Sequence, residues 1–153
     1  FVFGRGGEEW NACVEAGIPV EVVPGVSSSI AVPALAGIPL THRSLTQGFV
    51  VVSGHVTPDD PRSDIDWDAL ARLGLTIVIL MGVAALPEIT ERLLRAGLDP
   101  ATPAASIADG GMPSQRLVRG DLATLPAAAA AEDIGAPAVT VIGPAVSALL
   151  PQA

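Results

Sequence analysis

The sequence predicts an α/β domain with about five strands. Two observations point to this class. Short apolar runs alternate with segments that carry helix start and stop residues, which is the order of a strand–helix protein. Hydrophobic residues make up 50% of the 153 residues and aromatic residues only 3%, so Ala, Val, Leu and Ile are expected to fill the core. The length suits one domain.

Helices are predicted where a capping or acidic residue, or a proline, precedes an apolar segment and, in most cases, glycine follows it. The predicted helices run from Glu8 to Ala16, from the Ser27 cap to about Ala36, from Trp67 to Leu73 after the Asp66 cap, from Pro87 to near Gly97, and from Asp121 through an Ala-rich run. Residues 57–66 are mostly polar and are expected to form an exposed loop.

Strands are predicted at the short apolar runs that end in turn residues. They run from Val20 to Val23, Phe49 to Val52, Thr76 to Met81, Ala104 to Ala108, Gln115 to Val118, and Ala138 to Ile142. The second and third of these runs are continuously apolar, which is typical of buried strands.

Composition excludes several classes of function. The net charge of −8 argues against nucleic acid, which binds clustered cations. No apolar run reaches the length of about 20 residues that crosses a membrane, so no membrane association is expected. The lone Cys13 and two histidines indicate no disulfide framework and no metal site, in keeping with a cytoplasmic protein. All eight basic residues are arginines, which bind carboxylates well.

The first residues read FVFGRGGEE, a glycine-rich turn directly after an apolar triplet. Because such turns normally lie inside an α/β domain, we expect the chain to be the later part of a longer protein, with part of its active site elsewhere. The expected division is a remnant of an N-terminal α/β domain at 1–23, a C-terminal α/β domain at 24–146 and a tail at 147–153.

Two strand ends offer candidate ligand contacts. Met81-Gly82 and Asp109-Gly110-Gly111 follow two predicted strands and should lie at one edge of the sheet, where α/β proteins gather ligands. Met81 taken alone is more typical of a core residue. The hydroxyls of 27–29 could cap a helix or hold a small polar ligand. No Ser-His-Asp arrangement is compelling, so the residues do not favour hydrolase chemistry.

The motifs in order resemble the tetrapyrrole methylase family. They read FVFGRGGEE, VEVVPGVSS, AGIPLTHR, VVSGH, ILMGV, PAASIADGG followed by Gln115-Arg116, and APAVTVIG, and they span residues 1 to about 143. The resemblance implies a C-terminal α/β domain with a mixed sheet, S-adenosylmethionine as methyl donor and a homodimer. The FGRGGEE, THR and SGH motifs are specific to the branch that methylates uroporphyrinogen III twice to precorrin-2, on the way to sirohaem and cobalamin.

The resemblance also assigns roles to individual residues. Those matching donor-binding positions are Val2, Ser27, Ser28, Met81 and Gly110, with both serines departing from the usual Thr-Ala pair. Arg5, Glu8 and Arg43 match positions that face the tetrapyrrole. Arg5 is also expected to stabilise charge during catalysis. The family's Gly-Gly-Asp donor turn would fall before Phe1, so the chain alone is expected to be inactive.

Elementary chemistry agrees with these roles. A substrate with eight carboxylates needs local arginines, and pyrrole N–H groups need an acceptor such as Glu8. Methyl transfer needs alignment and a dry pocket more than a metal. Two alternatives stay open at this stage: another precorrin methyltransferase or diphthine synthase of the same fold, and a non-catalytic α/β dimerisation module.

Overall fold

The computed structural model describes residues 1–149, and helices and strands alternate from α2 to β3. The strands are β1 (Phe49–Ser53), β2 (Thr76–Leu80), β3 (Pro103–Ala108), β4 (Arg116–Asp121) and β5 (Ala138–Ile142). The helices are α1 (Gly6–Glu15), α2 (Ser28–Leu35), α3 (Trp67–Arg72), α4 (Leu86–Arg95) and α5 (Leu125–Ala131), followed by a short 3-10 helix at Pro144–Ser147.

The strands form one mixed five-stranded sheet in the order β1-β2-β5-β3-β4. β1 and β2 are parallel, whereas β5 is antiparallel to both of its neighbours, β2 and β3, and β4 is antiparallel to β3. Strands β1, β2 and β3 therefore end at one edge of the sheet, where β4 and β5 begin. The predicted α/β class with about five strands is confirmed.

Helices cover both faces of the sheet, so the core has two halves. α3, α4 and α5 pack on one face around Ile77, Ile79 and Ile142. α2 and the 3-10 helix pack on the other face around Val78 and Val141. The central strand β2 is covered on both faces, which explains why its sequence TIVIL is apolar at every position after Thr76.

The predicted helix caps are confirmed. The Ser27 Oγ accepts a hydrogen bond from the Ser29 N–H at 3.3 Å, and the Asp66 carboxylate accepts one from the Ala69 N–H at 2.8 Å. Gly37 follows α2 with a φ of 68°, the left-handed conformation that glycine adopts at helix ends. These side chains fix where α2 and α3 begin, and α2 forms one wall of the site described below.

Several sequence predictions were wrong. Residues 20–23 form no strand, because no described strand lies beside them, and Val23 is 84% exposed. The strand from Phe49 is at the edge of the sheet and is half-buried rather than buried. Asp121 ends β4 instead of starting a helix, since its carboxylate accepts the Thr124 N–H at 2.9 Å in a tight turn.

The first 26 residues contribute nothing to either half of the core. α1 buries none of its side chains, and the aromatic rings of Phe1 and Trp10 contact each other edge to face. The division at 23/24 stays a prediction, as does the tail, of which residues 150–153 lie outside the described part. Within residues 1–149, no helix combines the length and hydropathy needed to cross a bilayer.

Candidate functional site

A mostly apolar cleft of about 740 Å³ lies over the edge where β2 and β3 end and β5 begins. The sheet supplies its floor through Leu80, Ile107 and Val139, and α2 supplies a wall through Ser28 and Val32. The remaining lining residues come from loops, from the start of the chain and from the first residue of β5: Val2, Phe3, Met81, Val83, Ala84, Asp109, Gly110, Met112, Ala136, Pro137 and Ala138. Segments far apart in sequence therefore meet around one cavity.

The chain turns sharply where β2 and β3 reach the cleft. Met81 and Asp109 follow these strands with φ values of 58° and 51°, a left-handed conformation that is uncommon outside glycine. The Asp109 N–H donates to the Pro137 carbonyl at 3.0 Å, which ties the exit of β3 to the entry of β5. Left-handed residues of this kind often occur at functional sites.

Gly110 is required for the close packing of the turn after β3 against α2, which forms one wall of the cleft. A Cβ atom at this position would lie 2.4 Å from the Val32 Cγ1 and 2.5 Å from its Cγ2. The turn after β3 can therefore approach α2 only without a side chain. A similar approach occurs after β1 and β2, where a Cβ at Gly54 would lie 2.6 Å from the Gly82 Cα.

The structure brings four of the five residues predicted to bind the donor into this cleft: Val2, Ser28, Met81 and Gly110. Met81 is 49% exposed, so it is a cleft residue and not the core residue that its strand context alone indicates. Ser27 is not among the lining residues. Its hydroxyl instead contacts the Ser29 hydroxyl at 2.7 Å and caps α2, which positions Ser28 at the first helical turn.

The residues predicted to face the tetrapyrrole lie outside this cleft. Arg5 precedes α1 and pairs with the Glu8 carboxylate, with both side chains exposed. Glu8 lines a shallow hollow on α1 together with Phe1 and Trp10. Arg43 is exposed in a separate hollow beside His42. Their roles in binding the tetrapyrrole stay predictions.

Sequence reasoning named five of the sixteen lining residues, namely Val2, Ser28, Met81, Asp109 and Gly110, and missed the other eleven. Asp109 and Met112 flank the glycines of the turn after β3, and the Ala136–Val139 segment enters β5. A usable signal existed for Asp109, because it precedes two glycines at a predicted strand end. No signal existed for residues 136–139, because they line the cleft only through the antiparallel pairing of β5 between β2 and β3.

Perturbed acid–base groups do not mark this cleft. Hydrogen bonds from the Arg62 side chain lower the pKa of Asp60 to about 2, and hydrogen bonds from the Thr124 side chain and backbone lower the pKa of Asp121. Asp60 lies in the loop between β1 and α3, Asp121 ends β4, and neither lines the cleft. Residues 1–149 contain no group of three or more His, Cys, Asp or Glu arranged to hold a metal ion.

Gln115 fixes the turn that carries Asp109, Gly110 and Met112. Its Oε1 accepts the Gly111 N–H at 2.8 Å, and Gly111 itself is left-handed with a φ of 83°. Replacing Gln115 with Ala should lower the free energy of unfolding by about 1 kcal/mol and speed hydrogen exchange at the Gly111 amide. Replacing it with Glu keeps an acceptor and should largely preserve both values.

The matched control for this prediction is Gln47→Ala, because Gln47 is also a glutamine in a loop but lies outside the cleft. Chemical denaturation and amide exchange followed by NMR measure the two quantities. The turn does not depend on this hydrogen bond if the Gly111 amide of Gln115→Ala exchanges as slowly as that of the wild-type chain. The same conclusion follows if Gln115→Glu lowers the free energy of unfolding as much as Gln115→Ala does.

The mixed sheet with a ligand cleft at its strand ends defines a class of α/β domain that binds small molecules at a sheet edge. The family model of the tetrapyrrole (corrin/porphyrin) methylases matches residues 1–126. The chain belongs to this family, as the sequence resemblance predicts.

Two relatives show which members of the family the chain is similar to. The chain is 49% identical over 143 residues to a siroheme synthase of Gluconacetobacter diazotrophicus, covering 94% of this chain and 30% of the relative. It is 48% identical to an S-adenosyl-L-methionine-dependent uroporphyrinogen III methyltransferase of Methanosarcina barkeri, covering 94% of this chain and 56% of that protein. The chain thus spans between about a third and just over half of these relatives.

Among solved structures, the chain is similar to a uroporphyrin-III C-methyl transferase from Thermus thermophilus complexed with S-adenyl homocysteine. The two share 38% sequence identity with a TM-score of 0.79, over 97% of this chain and 64% of the other. The likeness extends over nearly all of this chain.

Proposed function

We propose that this chain binds S-adenosylmethionine in the cleft at the sheet edge and takes part in the C-methylation of uroporphyrinogen III to precorrin-2. The observation that carries the proposal is the meeting of Val2, Ser28, Met81 and Gly110 around one cavity. The 48% identity to a methyltransferase named for this donor and this substrate supports the same conclusion.

The residues of the cleft fit such a donor. The volume of about 740 Å³ falls within the usual range of roughly 300–1,000 Å³ for small-molecule pockets. The apolar floor suits an adenine ring, and the glycine turn brings Gly110 to the lining of the cleft. The donor supplies a methyl group activated by a positively charged sulfur. This chain's residues orient it and exclude water, which methyl transfer to carbon requires.

The proposed roles follow from these positions. Val2, Ser28, Met81 and Gly110 contact the donor, whereas Ser27 acts by capping α2. Arg5, Glu8 and Arg43 contact the tetrapyrrole, with the arginines binding its carboxylates and Glu8 accepting pyrrole N–H groups. Arg5 also stabilises charge during the reaction. The division into 1–23, 24–146 and 147–153, the homodimer and the cytoplasmic setting belong to the same proposal.

The arginine roles predict different kinetic effects for two substitutions. Arg43→Ala should raise the KM for the tetrapyrrole about tenfold with little change in kcat, because a charge-assisted contact is lost. Arg5→Ala should raise KM and also lower kcat. Steady-state kinetics of the full gene product measures both KM and kcat.

The matched control is Arg72→Ala, because Arg72 is exposed at the end of α3 and lines neither the cleft nor the two hollows at Glu8 and Arg43. Its kinetics should equal those of the wild type. Unchanged KM values in both Arg5→Ala and Arg43→Ala would show that these residues do not bind the substrate. They would favour the alternative that the chain is a non-catalytic dimerisation module.

The direct test of the function is transfer of a labelled methyl group to uroporphyrinogen III. The full gene product should transfer label, whereas the 153-residue chain alone should transfer little or none, because it spans just over half of the methyltransferase it resembles. Turnover of a later precorrin or of a protein acceptor, but not of uroporphyrinogen III, would assign the chain to another methylase of the same fold. Full activity of the chain alone would overturn the claim that its site is incomplete.

A further inference from the structure

Among the described residues that line the cleft, Asp109 is the only charged one. Ser28 is the only lining residue of that part of the chain with an uncharged hydrogen-bonding side chain. Within residues 1–149, the Asp109 carboxylate makes no hydrogen bond or ion pair, although the structure records such bonds for six other aspartates: Asp59, Asp60, Asp66, Asp68, Asp99 and Asp121. The cleft therefore contains an unpaired negative group in mostly apolar surroundings.

The backbone holds Asp109 at this place. Its N–H donates to the Pro137 carbonyl at 3.0 Å, and its own carbonyl accepts the Met112 N–H at 2.9 Å. Its φ of 51° is a left-handed conformation, which aspartate and asparagine tolerate better than other residues with side chains. These two backbone hydrogen bonds hold the Asp109 main chain at the edge of the cleft.

An unpaired carboxylate beside an apolar cavity favours a cationic ligand. The interaction of two charges is several times stronger near a protein surface than in bulk water. S-adenosylmethionine carries a positive sulfur, whereas the sulfur of S-adenosylhomocysteine is neutral, and both keep the same amino-acid end. A negative group near the sulfur therefore distinguishes the two molecules, whereas one near the amino-acid end does not.

We propose that Asp109 makes the cleft select the charged methyl donor over its neutral product. This inference rests on the proposed function, since it assumes that the cleft is the donor site. Asp109 then determines specificity through binding and is not needed for the transfer itself. The positive charge on the sulfur decreases as the methyl group leaves. A carboxylate that attracts this sulfur therefore stabilises the bound donor at least as much as the transition state.

The test is the substitution Asp109→Asn, which removes the charge and keeps the size and the tolerated backbone conformation. Isothermal calorimetry on the full gene product measures the Kd for donor and product. The donor Kd should rise about tenfold, as expected for loss of one partly screened charge pair, while the product Kd changes less than about twofold. The donor KM should rise in parallel, and kcat at saturating donor should not fall.

The matched control is Asp133→Asn. Asp133 is also left-handed, with a φ of 50°, but it does not line the cleft. Its donor and product Kd values should both equal those of the wild type. Equal weakening of donor and product in Asp109→Asn, or no change in either, would overturn the inference while leaving the proposed function intact. A wild-type protein that binds neither molecule would instead overturn the proposed function.

Discussion

Replacing Gly110 with Ala should lower the free energy of unfolding by about 2 kcal/mol, the typical penalty for forcing a methyl group against a closely packed neighbour. The new Cβ would lie 2.4 Å from the Val32 Cγ1, and α2 or the turn after β3 must shift to accommodate it. For a chain of this length, the thermal midpoint should fall by about 4–8 °C. Donor affinity should also fall, because both shifting segments line the cleft.

A double-mutant cycle separates this clash from other effects. Val32→Ala removes the two γ-carbons that the new methyl group would meet, so the double variant should lose less stability than the sum of the two single variants. Gly135→Ala is the control, because a Cβ there meets nothing within 4 Å. A Gly110→Ala protein as stable as the wild type, or strictly additive losses, would contradict the close packing of the turn against α2.

Replacing Ala84 with Trp should weaken donor binding about a hundredfold while changing the thermal midpoint little. Ala84 is exposed in the turn that follows β2, and it lines the cleft beside Met81 and Val83. A large ring there occupies space that the donor needs, at a cost of about 3 kcal/mol in binding free energy for that ratio. Calorimetric titration with S-adenosylhomocysteine measures the change.

The control for this experiment is Ala123→Trp. Ala123 is also an exposed alanine in a turn, and it precedes α5 outside the cleft. The control variant should bind the ligand with the wild-type affinity. If both tryptophan variants bind equally well, ligand binding takes place elsewhere. Loss of folding in Ala84→Trp, seen by circular dichroism, would show that this turn is part of the core instead of the mouth of a cleft.

Local signals in the sequence were enough to predict most of the fold. The caps at Ser27 and Asp66, the glycine after α2 and the unbroken apolar run of β2 each depend on neighbouring residues only. The strand predicted at Val20–Val23 failed for the opposite reason. An apolar run becomes a strand only when another strand pairs with it, and pairing is a tertiary property that the run itself does not encode.

The site was predicted in part because the resemblance provided residues that composition alone could not. Spacing indicated that Met81 and Gly110 lie at one sheet edge, and the structure brings both to the same cleft. The entry of β5 was missed because its place between β2 and β3 is set by the crossing of distant strands. Asp109 was named only as part of a turn, since its unpaired charge becomes meaningful only once the apolar surroundings are known.

The most direct measurement of the central claim uses the two methionines of the chain. Met81 and Met112 both line the cleft and are 49% and 60% exposed. With ¹³C-methyl methionine in the full gene product, Met81→Leu and Met112→Leu variants assign the two signals. If S-adenosylmethionine or its product binds at this edge of the sheet, both signals shift during titration and stop shifting when calorimetry shows saturation. Saturation with both signals unmoved would contradict the account.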